Sequence, residues 1–262
     1  MPNLTPENYY TNEMNQLYYS ASQIKGFKAC PDREKATLLE CYMREPSTAL
    51  TMGQYVDEAL TGDLDGWKKL HPEILKRDGT LKADYVLADE MVARALADDV
   101  FMSYLDGEHQ RIFTGNLFGF PFKAKLDCYI PGKAIVDLKT VKDLSPQYLP
   151  GQGRVDFATA WDWPLQMAIY QALVEQATGE KLPCILAVIT KETPPDLRLV
   201  EIEQERLDAE LAWLEQAMPR FDAVKSGAIT APRCGRCAWC RQTRKLDGPV
   251  MLSDFEEMGG NA

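Results

Sequence analysis

The sequence predicts an α/β (α+β) fold: a central mixed sheet, led by a three-strand antiparallel meander, with helices packed around it. Three observations carry this expectation. The first third has helical apolar spacing, residues 109–140 switch to period-two alternation, and a strong helix, a buried strand, a further strand and a long amphipathic helix follow. With 262 residues and 45% hydrophobic content, the chain can fill a sizeable core.

Residues 1–18 are polar and aromatic without a clear period, and read as an arm. Helical spacing begins near Ser20 or Ser22, either of which can cap it, with Ile24 and Phe27 one turn apart. Cys30-Pro31 interrupts this helix, because proline disfavours helical geometry in the residue before it. DREKATLLECYMRE predicts a second helix ending before Pro46, and ALTMGQYVDEALTG a third, closed by Gly62. HPEILKRDGTLKA reads as a loop turning at Asp78-Gly79. ADYVLADEMVARALADDVFMSYL reads as one helix, with Val86, Met91, Val92, Leu96 and Val100 on its apolar face.

The texture then changes. HQRIFTGNLFG, FPFKAKLDCYI and KAIVDLKT alternate as strands and form the meander. After a Gly- and Pro-rich connector, SPQYLPGQGR, comes the helix WDWPLQMAIYQALVEQATG, stopped by Gly179. PCILAVITKE and DLRLVEIE read as strands, and QERLDAELAWLEQAMPRFDAVKSG as a long helix. One domain over 19–242 is expected, with a helical part (19–108), a core (109–203) and a C-terminal helix with a cysteine group (204–242), then an acidic tail over 243–262.

Composition excludes several classes. Two histidines, His71 and His109, leave no HExxH zinc motif and make a Ser-His-Asp triad or a paired Cys-His finger improbable. Seven cysteines, an odd number with three inside seven residues, do not suit a secreted disulfide framework. No run approaches the roughly 20 apolar residues of a membrane span, and the N-terminus lacks a signal-peptide layout, so a cytoplasmic location is expected. The net charge of −10 argues against indiscriminate coating of nucleic acid. It does not exclude a nuclease, since Lys123, Lys125, Lys133, Lys139 and Lys142 fall in one short segment.

The chemistry concentrates in KAKLDCYIPGKAIVDLKT. Alternation delivers Asp137 and Lys139 side by side at a strand end, with Val136 and Leu138 facing the core. Asp127 joins them only in one register: a two-residue Pro131-Gly132 loop sets it opposite Val136, whereas a three-residue loop or a bulge sets it opposite Asp137. The longer loop or the bulge is the expectation. Facing aspartates repel unless a divalent cation lies between them, and hard oxygen ligands select Mg²⁺ or Mn²⁺. That is phosphodiester-hydrolysis chemistry. In isolation, Asp-x-Lys also describes a solvated ion pair.

These residues resemble the PD-(D/E)xK nuclease superfamily, with Leu126-Asp127 and Asp137-Leu138-Lys139 as its two half-motifs and Gln166 and Tyr170 similar to the QxxxY motif of the RecB- and lambda-exonuclease-like branch. SASQIKGFKACP resembles that branch's SxSxIxxFxxCP helix, and ALTMGQYVDEAL its GxxxH helix, with Asp57 where many relatives carry histidine. The resemblance spans roughly residues 18–242 and looks closest to phage-type exonucleases similar to exodeoxyribonuclease VIII (RecE). It implies a restriction-endonuclease-like core and a magnesium-dependent deoxyribonuclease acting at DNA ends. Asp57, Asp127, Asp137 and the Leu138 carbonyl would be its metal ligands, Lys139 would orient or activate water, and Gln166 and Tyr170 would be supports. A solvated helix residue is the alternative for Asp57. By the same resemblance the partners are DNA and a single-strand annealing protein, and the assembly is a trimeric or tetrameric ring. A non-catalytic DNA-binding scaffold on the same fold, and a CRISPR-adaptation-like single-strand exonuclease, are the alternatives.

RCGRCAWC supplies Cys234, Cys237 and Cys240, and Cys30 lies far upstream. The set resembles the iron-sulfur staple of AddB-type nucleases. It is compatible with three corners and a remote fourth ligand of a [4Fe-4S] cluster, with a structural Zn²⁺ or free thiols as the alternatives, since the spacing departs from those relatives, whose last two cysteines are farther apart. Cys41, Cys128 and Cys184 read as core residues. Trp161 and Trp163 are candidates for base stacking or for core, and Lys142 and Arg154 for phosphate contact or open surface.

Overall fold

The structure is a computed structural model and describes residues 3–43, 45, 47–149 and 151–252. Of the expected acidic tail, residues 253–262 lie outside the described residues.

The N-terminal helices are α1 (Asn12–Leu17), α2 (Ala21–Ala29), α3 (Pro31–Leu38), α4 (Thr48–Thr61), α5 (Leu64–Leu70), α6 (Ala83–Leu96) and α7 (Asp99–Ser103). The strands are β1 (Glu108–Leu117), β2 (Phe120–Ile130), β3 (Ala134–Val141), β4 (Gln147–Leu149), β5 (Gly153–Val155), β6 (Cys184–Thr190) and β7 (Leu197–Glu201). Helix α8 (Trp163–Thr178) lies between β5 and β6, and α9 (Gln204–Ser226) and α10 (Ala238–Gln242) close the described fold. The main sheet has the order β1-β2-β3-β6-β7 and is mixed: β3 and β6 are parallel, and the other pairs antiparallel. This is the restriction-endonuclease-like α/β arrangement expected from the sequence. One hydrophobic cluster joins the sheet to α2, α8 and α9, and a second joins it to α4, α6 and α7. No helix among the described residues is long and apolar enough to cross a membrane.

Several elements follow directly from their residues. Ser20 caps α2 by accepting from the Gln23 N–H, and the fully buried Ile24 and Phe27 anchor the helix. Gly179, at φ 80°, ends α8 in the left-handed region. Helix α8 lies so close to β1 that a Cβ on Gly115 would fall 2.8 Å from Leu173 Cδ2. That close approach fixes the helix carrying Gln166 against the sheet.

Several expectations differ from the structure. Helix α3 stops at Leu38, because Glu40 takes φ 56° and the N–H groups of Glu40 and Cys41 return to the Thr37 and Ala36 carbonyls in a Schellman closure. The expected long helix after Lys82 divides at Asp98, whose carboxylate caps α7 by accepting from the Phe101 N–H. Its buried face is Tyr85, Ala88, Met91 and Ala95, while Val86, Leu96 and Val100 are exposed. The connector SPQYLPGQGR contributes the β4–β5 hairpin, and residues 12–17 of the expected arm are helical, with Met14 buried.

Candidate active site and cysteine centre

The hairpin joining β2 to β3 has a three-residue loop, Pro131-Gly132-Lys133, flanked by the pair Ile130↔Ala134. The Lys133 N–H donates to the Ile130 carbonyl at 3.0 Å, and Gly132 has φ 69°, so proline and glycine occupy the positions a type II turn asks of them. The same register runs through Tyr129↔Ile135 to Cys128↔Val136 and would next oppose Asp127 to Asp137. The ladder ends there instead. Asp127 turns its carboxylate into the gap, and Oδ2 accepts from the Leu138 N–H at 3.1 Å.

Asp137 is only 1% exposed, an expensive place for a carboxylate. Its Oδ1 accepts from Gln166 Nε2 at 2.8 Å. Its Oδ2 lies in ion-pair contact with Lys139 Nζ.

Asp57 of α4, Asp127, Leu138 and Lys139 line one cleft of about 270 Å³. Asp57 is held by the Thr61 hydroxyl at 3.1 Å and by Gln110 Nε2 at 3.2 Å. Burial, then the charge of Asp137, pushes the Asp127 carboxyl well above the usual range against the opposing pull of Lys139. Burial also raises Asp57, against the Thr61 hydrogen bond, with Glu58 and Asp137 adding to the rise. Around Lys139, burial disfavours the charged form, yet Asp137 and Asp127 outweigh it and hold its pKa above that of an ordinary lysine. Asp57, Asp127 and Asp137 thus lie within electrostatic reach of one another and of Lys139, and like-charged carboxylates so placed are candidates for a divalent ion with hard-oxygen preference.

Gln166 and Tyr170 share a face of α8, one turn apart. Gln166 Nε2 donates to Asp137 and, at 3.2 Å, to Tyr170 Oη, while Gln166 Oε1 accepts from Lys25 Nζ at 2.7 Å. An ammonium can only donate and a carboxylate only accept, so this is the one amide orientation that satisfies both neighbours. Lys25 was not singled out in the sequence. The sequence around it carries no signal for this: Lys25 is half-buried and reaches the site only through the docking of α2 beside α8. Burial and the nearby Lys139 lower its pKa to about 7, against the opposing pull of Asp137 and Asp162.

Other candidates separate from the site. Lys123 is buried and donates to Asn15 Oδ1 at 2.8 Å and to the Tyr9 carbonyl, so it does not belong to an open basic groove. Lys142 and Arg154 are on the surface. Trp163 packs on the core with Lys139 Nζ 5.5 Å from its ring, while Trp161 is exposed.

The cysteine group assembles from opposite ends of the chain. Cys30 sits between α2 and α3; Cys234 and Cys237 precede α10, and Cys240 lies within it. Ligand atoms of all four lie within 4.8 Å of one another, with Cys30 and Cys240 Sγ 3.6 Å apart and Cys234 and Cys240 Sγ 3.9 Å apart. Zn–S bonds of about 2.3 Å in a tetrahedron give sulfur–sulfur edges of about 3.8 Å. The donor set therefore fits one four-coordinate ion. The N–H groups of Cys237 and Cys240 donate to the sulfurs of Cys234 and Cys237, each at 3.4 Å. Burial raises the Cys234 thiol, but the N–H groups of Arg236 and Cys237 prevail and bring it down to about 6. Asp32 fastens the junction by accepting from Trp239 Nε1 at 2.7 Å and pairing with Arg233 at 3.2 Å. Cys128 and Cys184 are buried as expected, whereas Cys41 is exposed, because the chain leaves the helix at Glu40.

Comparison with known proteins agrees with this architecture. The crystal structure of a "putative exonuclease" from Eubacterium rectale superposes with a TM-score of 0.94 and 40% identity, covering 97% of this chain and 98% of that one. A second solved structure, of SSO0001, reaches a TM-score of only 0.30 at 14% identity over 72% of this chain and 84% of that one, too low to support a structural argument. No curated protein matches the chain. A family model described as "PDDEXK-like domain of unknown function (DUF3799)" matches residues 20–243, and the chain belongs to that family, within the PD-(D/E)xK nuclease superfamily.

Proposed function

We propose that this protein is a divalent-metal-dependent exodeoxyribonuclease that hydrolyses phosphodiester bonds at DNA ends, with residues 19–242 as its nuclease domain. The observation that carries the reading is the convergence of Asp57, Asp127 and the buried Asp137 on Lys139, each carboxylate raising or pulling on the others' protons. These carboxylates, with the Leu138 carbonyl, would hold Mg²⁺ or Mn²⁺. Such an ion, when bound, supplies Lewis-acid polarisation of a phosphoryl oxygen and a water of lowered pKa.

The chain's own residues do the rest. Lys139, cationic beside two aspartates, orients the attacking water and stabilises the negative charge that grows on the phosphate. Gln166 holds Asp137 by its amide and keeps the carboxylate aimed into the site. Tyr170 steadies that amide and faces the substrate strand. DNA ends are the preferred substrate because the similar protein from Eubacterium rectale is named as an exonuclease. The resemblance to phage-type enzymes extends the reading to end resection for recombination, a single-strand annealing partner and a trimeric or tetrameric ring. The four thiolates of Cys30, Cys234, Cys237 and Cys240 hold a structural ion. Their tight spacing favours Zn²⁺ over a [4Fe-4S] cluster, whose four irons set the thiolates farther apart.

The test is a cleavage assay on 5′- and 3′-labelled linear duplex, single strand and closed circle with Mg²⁺, comparing wild type with Lys139→Ala. Loss of linear substrates, survival of the circle and an inactive Lys139→Ala variant are expected. Equal degradation by both proteins would remove Lys139 from the chemistry, and rapid cutting of the circle would overturn the exonuclease reading.

A further inference from the structure

A groove of about 540 Å³, twice the size of the cleft over the carboxylates, borders the site at Tyr170. It lies between the chain preceding α1, the start of α2, the chain after α3 and strand β2. Tyr170 is the wall it shares with the active site, since the Gln166 amide that donates to Tyr170 Oη also holds Asp137. Among its lining residues are Tyr9, Tyr10, Tyr42 and Lys125.

The lining is built to present one aromatic face. Tyr10 is 68% exposed, while its neighbour Tyr9 is buried and braces it edge-to-face at 4.9 Å. Lys125 Nζ stands 4.5 Å from the Tyr10 ring. Behind them the buried Lys123 ammonium clamps the Tyr9 carbonyl and Asn15 to β2. Burial draws that lysine's pKa down to about 8. Across the groove Tyr42 rests on Trp239, 5.7 Å between centroids, so the cysteine-bearing segment supports the opposite wall. An exposed aromatic with a fixed base and an adjacent ammonium is what a splayed-out nucleobase and its phosphate require, because every base has a π-face and stacking tolerates any sequence. A base inside a duplex has both faces covered and cannot use it. The volume falls in the range of small-molecule sites, roughly 300–1,000 Å³, suited to one or two nucleotides and not to a helix.

We propose that this groove binds an unpaired nucleotide of the substrate strand adjoining the cleavage site, its base stacked on Tyr10 between the tyrosine walls and its backbone charge met by Lys125. The proposal rests on the nuclease reading for the identity of the ligand. It makes the protein selective for single-stranded or frayed DNA ends over blunt, fully paired ones.

The test measures binding in EDTA, where no cleavage occurs, by fluorescence anisotropy of labelled oligo-dT and of a blunt duplex. Wild type, Tyr10→Ala and Tyr10→Phe are compared, and Tyr10 is exposed enough that neither change disturbs the core. Tyr10→Ala is expected to weaken single-strand binding about 5- to 100-fold, while blunt-duplex binding stays within about twofold and Tyr10→Phe, which keeps the ring, stays near wild type. A terminal 2-aminopurine should be quenched by wild type and not by Tyr10→Ala. Wild-type affinity of Tyr10→Ala for oligo-dT, or an equal loss for the blunt duplex, would overturn the proposal. If Tyr10→Ala binds normally while wild type still degrades DNA with Mg²⁺, only the groove assignment falls. If stacking depends on Tyr10 but Lys139→Ala still cleaves, the groove stands and the catalytic assignment falls.

Discussion

Truncating Gln166 probes the centre of the site without removing a proposed metal ligand. Gln166→Ala takes the donor at 2.8 Å from Asp137 Oδ1, the acceptor at 2.7 Å from Lys25 Nζ and the donor at 3.2 Å from Tyr170 Oη. A hydrogen bond to a charged group is worth about 1.5–3 kcal/mol. Loss of an outer-shell partner at a metal site typically costs about 10- to 100-fold in metal affinity or activity, which is about 1.4–2.8 kcal/mol. The two ranges agree because the same bond, from Gln166 to Asp137, underlies both. Initial rates on end-labelled duplex across a Mg²⁺ or Mn²⁺ titration should show the half-saturating metal concentration raised about 10- to 100-fold, with a smaller change at saturation. Gln166→Glu is the sharper variant: it keeps an oxygen for Lys25 but turns a second carboxylate oxygen toward Asp137, and should fall below Gln166→Ala. An unchanged metal midpoint in Gln166→Ala, or a Gln166→Glu enzyme more active than Gln166→Ala, would refute the assigned role.

Elemental analysis of wild-type protein should return one Zn²⁺ per chain and no visible chromophore. Cys30→Ser and Cys240→Ser should each lose the ion and melt more than about 5 °C lower, whereas iron with broad visible absorbance would replace the zinc assignment by a cluster. The pH dependence follows from Asp127, whose folded pKa is raised above its unfolded value, so the folded, metal-free protein holds the proton more tightly. Its stability in EDTA should therefore fall as pH rises from about 4 through the raised pKa, and the gain in melting temperature on adding Mn²⁺ should grow over the same window; a flat profile would count against the carboxylate cluster. Asp127→Asn should abolish cleavage yet melt at or above wild type in EDTA, because its amide oxygen can still accept from Leu138, while Asp127→Ala should lose about 1–3 kcal/mol through the orphaned N–H. Gly132→Ala should cost about 1–2 kcal/mol at its left-handed φ of 69° and leave cleavage unchanged, whereas deleting Gly132 should shift the β2–β3 register and remove activity; an active deletion variant would show that register does not control the site.

The strands and the helices α8 and α9 were legible because their periodicity comes from large apolar residues bounded by glycine and proline. What escaped was carried by small or polar residues. The buried face of α6 depends on Ala88 and Ala95, which weigh little in an apolar pattern, while the more conspicuous Val86 and Leu96 face solvent. Helix α3 ends where Glu40 adopts a left-handed conformation that its residue type does not announce. The two carboxylates and the lysine of the hairpin were legible because strand alternation is strict. Lys25 was not, since its place depends on how α2 docks beside α8, a tertiary fact that spacing within α2 does not contain.

The hairpin shows where counting residues ends and packing begins. A three-residue loop was required to bring Asp127 toward Asp137, and the loop is Pro131-Gly132-Lys133. Register alone would have made Asp127 one more rung of the ladder, with its carboxylate beside that of Asp137. The strands part after Cys128↔Val136 instead, and the Leu138 N–H that pairing would have satisfied is satisfied by the Asp127 side chain. Parting the strands leaves a gap in the ladder, and the Asp127 carboxylate fills it by accepting from the Leu138 N–H. One aspartate thus closes the broken ladder and faces the candidate metal site, so a substitution that removes both roles cannot separate them, and one that keeps the acceptor oxygen can.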